Sequence, residues 1–155
     1  MVTREAVEAD MPRVCDLNDV VQRLHADQRP DLYRWPPEAS GRLAVLEKAR
    51  LAPAWRLWVA DIGGRLVGYV ATELQEKPET ALRKPHREGH IHHISVAADR
   101  RRGGVGRALA GRAIEGLREQ QADRITVGYW AFNEPSRALF ASLGFQPSSI
   151  FAELV

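Results

Sequence analysis

The chain has 155 residues, 45% hydrophobic and 27% charged, with a formal net charge of +2. That length suits one domain with a proper core, and the charge is too small to argue for nucleic acid. No run of about 18 apolar residues and no signal-peptide pattern is present, so the expected location is the cytoplasm, with no membrane partner; the lone Cys15 excludes an intrachain disulfide and a cysteine-based zinc site.

Val2 to Val7 alternates weakly and reads as an edge strand. Asp10 is a candidate N-cap with Pro12 in the first turn, and Val14, Leu17, Val20, Val21 and Leu24 predict a helix to about His25. Arg29 to Pro37, RPDLYRWPP, is a proline-stiffened loop carrying Leu32, Tyr33 and Trp35. These three either dock the loop on the core or wall a substrate pocket. Glu38 to Ala52 reads as a second helix with Leu43, Leu46 and Leu51 inward. Trp55 to Asp61 and Arg65 to Leu74 form an antiparallel pair about the tight-turn signal Gly63-Gly64. Gln75 to Arg87 is polar, contains Pro78 and Pro85, and reads as a loop, either a plain surface loop or a lid.

The stretch from Glu88 to Gly111, EGHIHHISVAADRRRGGVGRALAG, reads as a buried strand, an arginine-glycine loop and a helix start. Gly103, Gly104 and Gly106 let an anion approach the main chain, whose successive N–H groups can form a nest at the positive end of a helix. Arg100, Arg101, Arg102 and Arg107 add charge and forked donors. The spacing matches neither the P-loop nor the Rossmann fingerprint. After a helix to about Gln121, Asp123 to Trp130 reads as a strand. Asn133 to Leu143 reads as a helix ended by Gly144, and Phe145 to Val155 supplies the last strands. The order β-α-α-β-β-β-α-β-α-β predicts a mixed α/β sheet with helices on its faces.

Arg101-x-x-Gly104-x-Gly106 resembles the acetyl-CoA loop R/Q-x-x-G-x-G/A of the GNAT superfamily of N-acetyltransferases, and Ile94-x-Val96 before it resembles that family's central strand. Asn133, Leu139, Phe140, Leu143, Gly144 and Phe145 resemble the family segment N-x-x-A-x-x-[LF]-Y-x-x-x-G-F in register, with Ser136 for the usual Ala and Phe140 for the usual Tyr. The resemblance covers nearly the whole chain. It implies a single GNAT domain over residues 1–155. Its sheet would be mixed, mostly antiparallel and of six to seven strands, with splayed central parallel strands and about four helices.

The resemblance also implies acetyl-CoA as cosubstrate, lying between strands His90–Val96 and Ile125–Trp130. Ile94, Ser95 and Val96 would line the pantetheine arm, with the Ile94 N–H polarising the acyl carbonyl. Arg101, Arg102, Gly103, Gly104, Val105, Gly106 and Arg107 would hold the pyrophosphate. Asn133, Ser136 and Phe140 would flank the cofactor from the later helix. Phe140 cannot protonate a leaving thiolate as the family's Tyr does; water, Ser142, Tyr129 or Tyr33 are the stand-ins.

Attack of an amine on a thioester needs a base. Histidine titrates near about 6.5, close to working pH. His90 and His92 alternate onto one face of their strand and are the candidate catalytic bases, with His93 expected on the opposite face against a helix. The arylalkylamine N-acetyltransferases, which this chain resembles more closely, carry histidines matching both. No third ligand accompanies the doublet, so no metal is expected. The acceptor expected first is a small primary amine held by Leu32, Tyr33 and Trp35. A protein N-terminus or lysine is the alternative, and an acyl-CoA-binding sensor, favoured by Phe140, is the alternative of another class. Homodimers are common in the family.

Overall fold

A computed structural model describes residues 1–154. Its elements in chain order are β1 (Val2–Glu5), α1 (Met11–Gln28), α2 (Ala39–Leu51), β2 (Trp55–Ile62), β3 (Arg65–Lys77), β4 (His86–Val96), α3 (Val105–Glu119), β5 (Arg124–Val127) and α4 (Glu134–Ser142). The strands form one five-stranded sheet in sequence order, antiparallel until β4 and β5, which run parallel.

Each face of the sheet has its own core. Tyr69, Ala71, Leu57 and Val59 meet Val14 and Leu17 of α1 and Leu46 of α2. Val67, Val70 and Ile91 meet Leu109, Ala113 and Leu117 of α3 and Phe140 of α4. Burying each such aliphatic side chain stabilises the fold by about 1.5–3 kcal/mol. The β2–β3 hairpin turns on Gly63 and Gly64, both with positive φ (62° and 82°), the geometry a two-residue turn between twisted strands requires.

Several expectations need correction. The sheet has five strands among the described residues, not six or seven. Phe145 packs on the core beside Phe140, but residues 146–154 form no strand, and Val155 lies outside the described residues. Ile150, Phe151 and Leu154 are 88%, 98% and 100% exposed, because this segment lies along no sheet edge of its own copy. The expected loop Gln75 to Arg87 is shorter, from Pro78 to Pro85, since β3 runs to Lys77 and β4 starts at His86. Backbone pairing and cross-strand pairs such as Arg87 Nε donating to Glu76 at 2.9 Å carry polar residues along a ladder without apolar alternation. In α2 only Leu46 of the three predicted leucines is buried, because one turn of the helix meets the sheet. Asp10 makes no cap bond to α1. It instead accepts from the Val7 N–H at 2.8 Å and from both Arg4 Nη atoms at 2.6 and 2.9 Å, tying β1 to the helix start.

Candidate active site

Two features of β4 create the site. The first is where its pairing with β5 ends. That ladder runs only from Glu88↔Arg124 to Ile91↔Val127. Beyond it β4 continues to Val96 while the chain after Val127 leaves the sheet, so the parallel strands part along the edge of β4 that bears Ile94 and Val96. Ile94 and Val96 side chains pack toward α3. Ser95 faces the other way: its buried hydroxyl donates to the Leu17 carbonyl at 2.7 Å, so its side chain serves the packing of α1.

The second is a β-bulge. Ala71 pairs with His93 but Thr72 pairs with Ile91, which leaves His92 as an extra residue. Cross-strand partners share a face, so His90 lies with Glu73, and His93 with Ala71, on the α1 side. The bulge therefore overturns the expectation that His93 faces away from His90 and His92. The three rings cluster: His90 and His92 centroids are 4.5 Å apart and His92 and His93 6.3 Å.

The histidines differ in setting. His90 Nδ1 is 2.8 Å from Thr126 Oγ1, a hydroxyl that also lies 3.4 Å from the Gly89 carbonyl oxygen. A Cβ on Gly128, just past β5, would lie 3.9 Å from His90 Nε2, so this edge of the ring faces the parted strands. Burial, then the neighbouring charge of His92, holds the His90 pKa below its ordinary value. Burial, followed by His92, His25 and His90, pushes His93 down to about 4. His92 Nε2 is 2.9 Å from Glu73 Oε2, and its ring stacks on Trp55 at 4.3 Å.

His93 forms part of a cleft of about 410 Å³ between α1 and the chain leading into α2, lined also by Asn18, Gln22, Leu32, Tyr33 and Leu46. Leu32 and Tyr33 are thus both on its wall. Trp35 does not; it lies 38% exposed with the Arg23 guanidinium 5.7 Å over its ring. Tyr33 is held by Trp130, whose Nε1–H donates to the phenol oxygen at 3.2 Å, and by the His25 ring at 4.9 Å. Sequence reading did not find Asn18, Gln22 or Trp130 as neighbours of the site, since none of them belongs to a local motif.

At the far end of β4 the arginine-glycine loop enters α3. Arg102 and Gly104 have φ of 58° and 81°, with Gly103 between them, and Gly104 is the residue before the helix. Alternating backbone handedness of this kind turns successive N–H groups inward as a nest, and α3 adds its unpaired first-turn N–H groups. Nothing lies within 4 Å of a Cβ on Gly104, so the space in front of the main chain is open. Arg101 and Arg102 are exposed there, Arg101 Nε donating to the Val96 carbonyl at 3.3 Å. Val105 is buried under the loop, and Gly106 sits 3.6 Å by its Cβ position from Leu139 of α4. The Arg107 side chain turns to α4, donating to Ser142 Oγ at 2.9 Å, so only its N–H remains with the nest. Asn133 caps α4 by accepting from the Ser136 N–H at 3.2 Å. Phe140 is 1% exposed and packs edge-on to Phe145, which makes it a core residue.

Among the described residues no group of three or more His, Cys, Asp or Glu could hold a metal ion, and no helix is long and apolar enough to cross a membrane.

Comparison with known proteins adds to this geometry. The family model described as "Acetyltransferase (GNAT) family" matches residues 19–145. N-acetyltransferase family 8 member 3 of Rattus norvegicus is 31% identical over 94 residues, 61% of this chain and 40% of that protein, so the match spans less than half of the relative's length. A mutant of the BH1408 protein from Bacillus halodurans has a structure similar at TM-score 0.93 and 25% identity, over 100% of this chain and 99% of that one. An aminoglycoside 6'-N-acetyltransferase from Acinetobacter haemolyticus is similar in fold at TM-score 0.76 and 17% identity, over 100% and 97% of the two chains.

Proposed function

The chain belongs to the acetyltransferase (GNAT) family, and from that premise we propose that it moves an acetyl group from acetyl-CoA to a primary amine of a small molecule, by direct attack in a ternary complex. The observation that carries the reading is one continuous path. It runs from the nest at Arg102–Gly104, along the open edge of β4, to the histidine cluster beside the α1 cleft.

The nest and the N-terminus of α3 bind the pyrophosphate. The β4 edge at Ile94 and Val96 pairs with the pantetheine arm as an added strand would, and the Ile94 N–H stabilises the oxyanion of the tetrahedral intermediate. The α1 cleft holds the acceptor, with Leu32 and Tyr33 against its carbon skeleton. His90 and His92 remove the ammonium proton, directly or through water, so that the nitrogen lone pair attacks the acyl carbon; the thiolate then leaves and takes up a proton. Burial favours a neutral His90, the form able to accept that proton. A small amine is favoured because the cleft is bounded by the loop before α2 and is about 410 Å³. The acetylation of aminoglycosides by one structural relative fits the same reading.

The proposal covers residues 1–155 as one domain acting in the cytoplasm. It includes a homodimer, supported by the exposed Ile150, Phe151 and Leu154 and by β5, whose outer edge has no strand beside it among the described residues.

The test is free-thiol release from acetyl-CoA against aryl amines, polyamines, aminoglycosides, amino acids and short peptides, with CoA binding followed by calorimetry. Release with one small-amine class is expected. Release only with peptides would transfer the reading to a protein acetyltransferase, and CoA binding without any release would make it a sensor.

A further inference from the structure

His92 is the extra residue of the β4 bulge, yet its ring is held on three sides. Trp55 stacks on it at 4.3 Å and 20°, His90 meets it edge-on at 4.5 Å, and Glu73 Oε2 lies 2.9 Å from Nε2. Trp55 and Glu73 are themselves cross-strand partners of β2 and β3. The Glu73 carboxylate is fixed in turn by the Gln75 side-chain amide, which donates to the same oxygen at 2.6 Å. The His92 and Glu73 side chains are only 26% and 19% exposed.

We propose that Glu73 is a positioning residue for the acceptor base: its carboxylate takes the His92 Nε2–H, so that Nδ1 presents the lone pair, and the two side chains work as a carboxylate–imidazole dyad. The proposal rests on the acyl-transfer reading above. An ionised carboxylate only accepts, so the ring nitrogen facing it must carry a proton; in the neutral ring the lone pair is then on Nδ1. When the acceptor ammonium gives up its proton, the N–H bond electrons stay on the amine as the attacking pair and the proton binds Nδ1. The ring becomes an imidazolium, facing an opposite charge in a setting partly withdrawn from water, where the attraction exceeds that of an exposed pair. The Glu73 carboxylate is suited to this. Burial favours its neutral form, but the hydrogen bonds from Gln75 and His92 outweigh that and keep its pKa below the usual carboxylate range. The other groups around the dyad are His90, His93, Glu88 and Lys77 from the strands and His25 from α1, and of these Glu88 and Lys77 oppose one another in sign.

Glu73→Gln keeps the size and the acceptor oxygen while removing the charge. In the assay with the active amine, it is expected to lower kcat about tenfold with the KM for acetyl-CoA unchanged. The pH dependence of the rate is expected to differ from that of wild type. In the wild-type protein the imidazole nitrogen shifts of His92 are expected to report the Nε2–H tautomer. A Glu73→Gln profile and kcat equal to wild type, or a wild-type His92 in the Nδ1–H tautomer, would overturn the dyad. His92→Ala separates the two layers: if it cuts turnover while Glu73→Gln is silent, the dyad alone falls. If His92→Ala is also silent, His92 is not the base and the dyad falls with it.

Discussion

The rings of Tyr129 and Phe140 lie parallel, 5° apart in orientation and 6.1 Å between centroids. The family segment that this stretch resembles carries a Tyr where this chain has Phe140, and the candidates to protonate the thiolate in its place are water, Ser142, Tyr129 and Tyr33. Ser142 is engaged, its hydroxyl donating to the Leu139 carbonyl at 2.7 Å and accepting from Arg107. Tyr33 accepts from Trp130 on the acceptor side. Tyr129 is the phenol beside Phe140. Tyr129→Phe is therefore expected to lower kcat about tenfold without changing CoA affinity, as steady-state rates and calorimetry would show. Phe140→Tyr is expected to restore part of the loss.

Gly104 has a φ of 81°, which a side chain adopts at a cost, and its Cβ would project into open space before the nest. Gly104→Ala is expected to destabilise the fold by about 1–2 kcal/mol in denaturant melts. Gly104→Glu adds a like charge at the pyrophosphate position and is expected to abolish CoA binding by calorimetry; normal affinity would remove the nest from the cofactor site.

Asp10 is buried, with the Arg4 fork and the Val7 N–H as its partners. Hydrogen bonding to Arg4 outweighs burial and holds its pKa below the usual carboxylate value. A carboxylate with a lowered folded pKa contributes stability that is present above its unfolded pKa, near about 3.9, and is lost as pH falls through the folded value. Asp10→Ala is expected to cost about 2 kcal/mol in urea melts at neutral pH, since it leaves the Val7 N–H and Arg4 without their acceptor.

The histidines act in the same sense, over a higher pH range. A histidine whose folded pKa is depressed is a weaker proton binder folded than unfolded, so stability falls as pH drops below the unfolded pKa, and the loss is complete below the folded value. For His93 that window runs from about 6.5 down to about 4. His90 and His25, lowered in the same direction, add to the slope. Thermal melts across this range should show a falling Tm, and His93→Gln should flatten part of the fall.

The tail offers a test of assembly. Phe151→Asp with Leu154→Asp is expected to convert a dimer to a monomer in light scattering, while leaving the melting temperature of the single copy close to that of wild type. An unchanged molar mass would detach the tail from the dimer.

Much of the architecture was legible because its signals are local. Gly63-Gly64 names a turn, Asn133 a cap and Gly144 a helix end, and each depends on a few adjacent backbone angles or one side chain. The limits of β3 and β4 were not, because their polar residues are held by pairing across the hairpin rather than by an apolar alternation. The absent last strands have a similar cause. Residues 146–154 carry apolar side chains, but a strand also needs an edge to pair with, and that is a property of the surrounding sheet.

The same division runs through the site. The sequence by itself determined the turn into α3, because that turn is made of backbone and the glycines that permit it are written in order from Gly103 to Gly106. It also determined that histidines would sit on the central strand. Which face they share was decided by tertiary structure. Alternation along a strand is a rule of period two, and one bulged residue at His92 reverses it, bringing His93 round to the α1 cleft. The partner that orients His92 was decided there too. Glu73 is 19 positions away in the chain and reaches the ring only because β3 and β4 pair in this register.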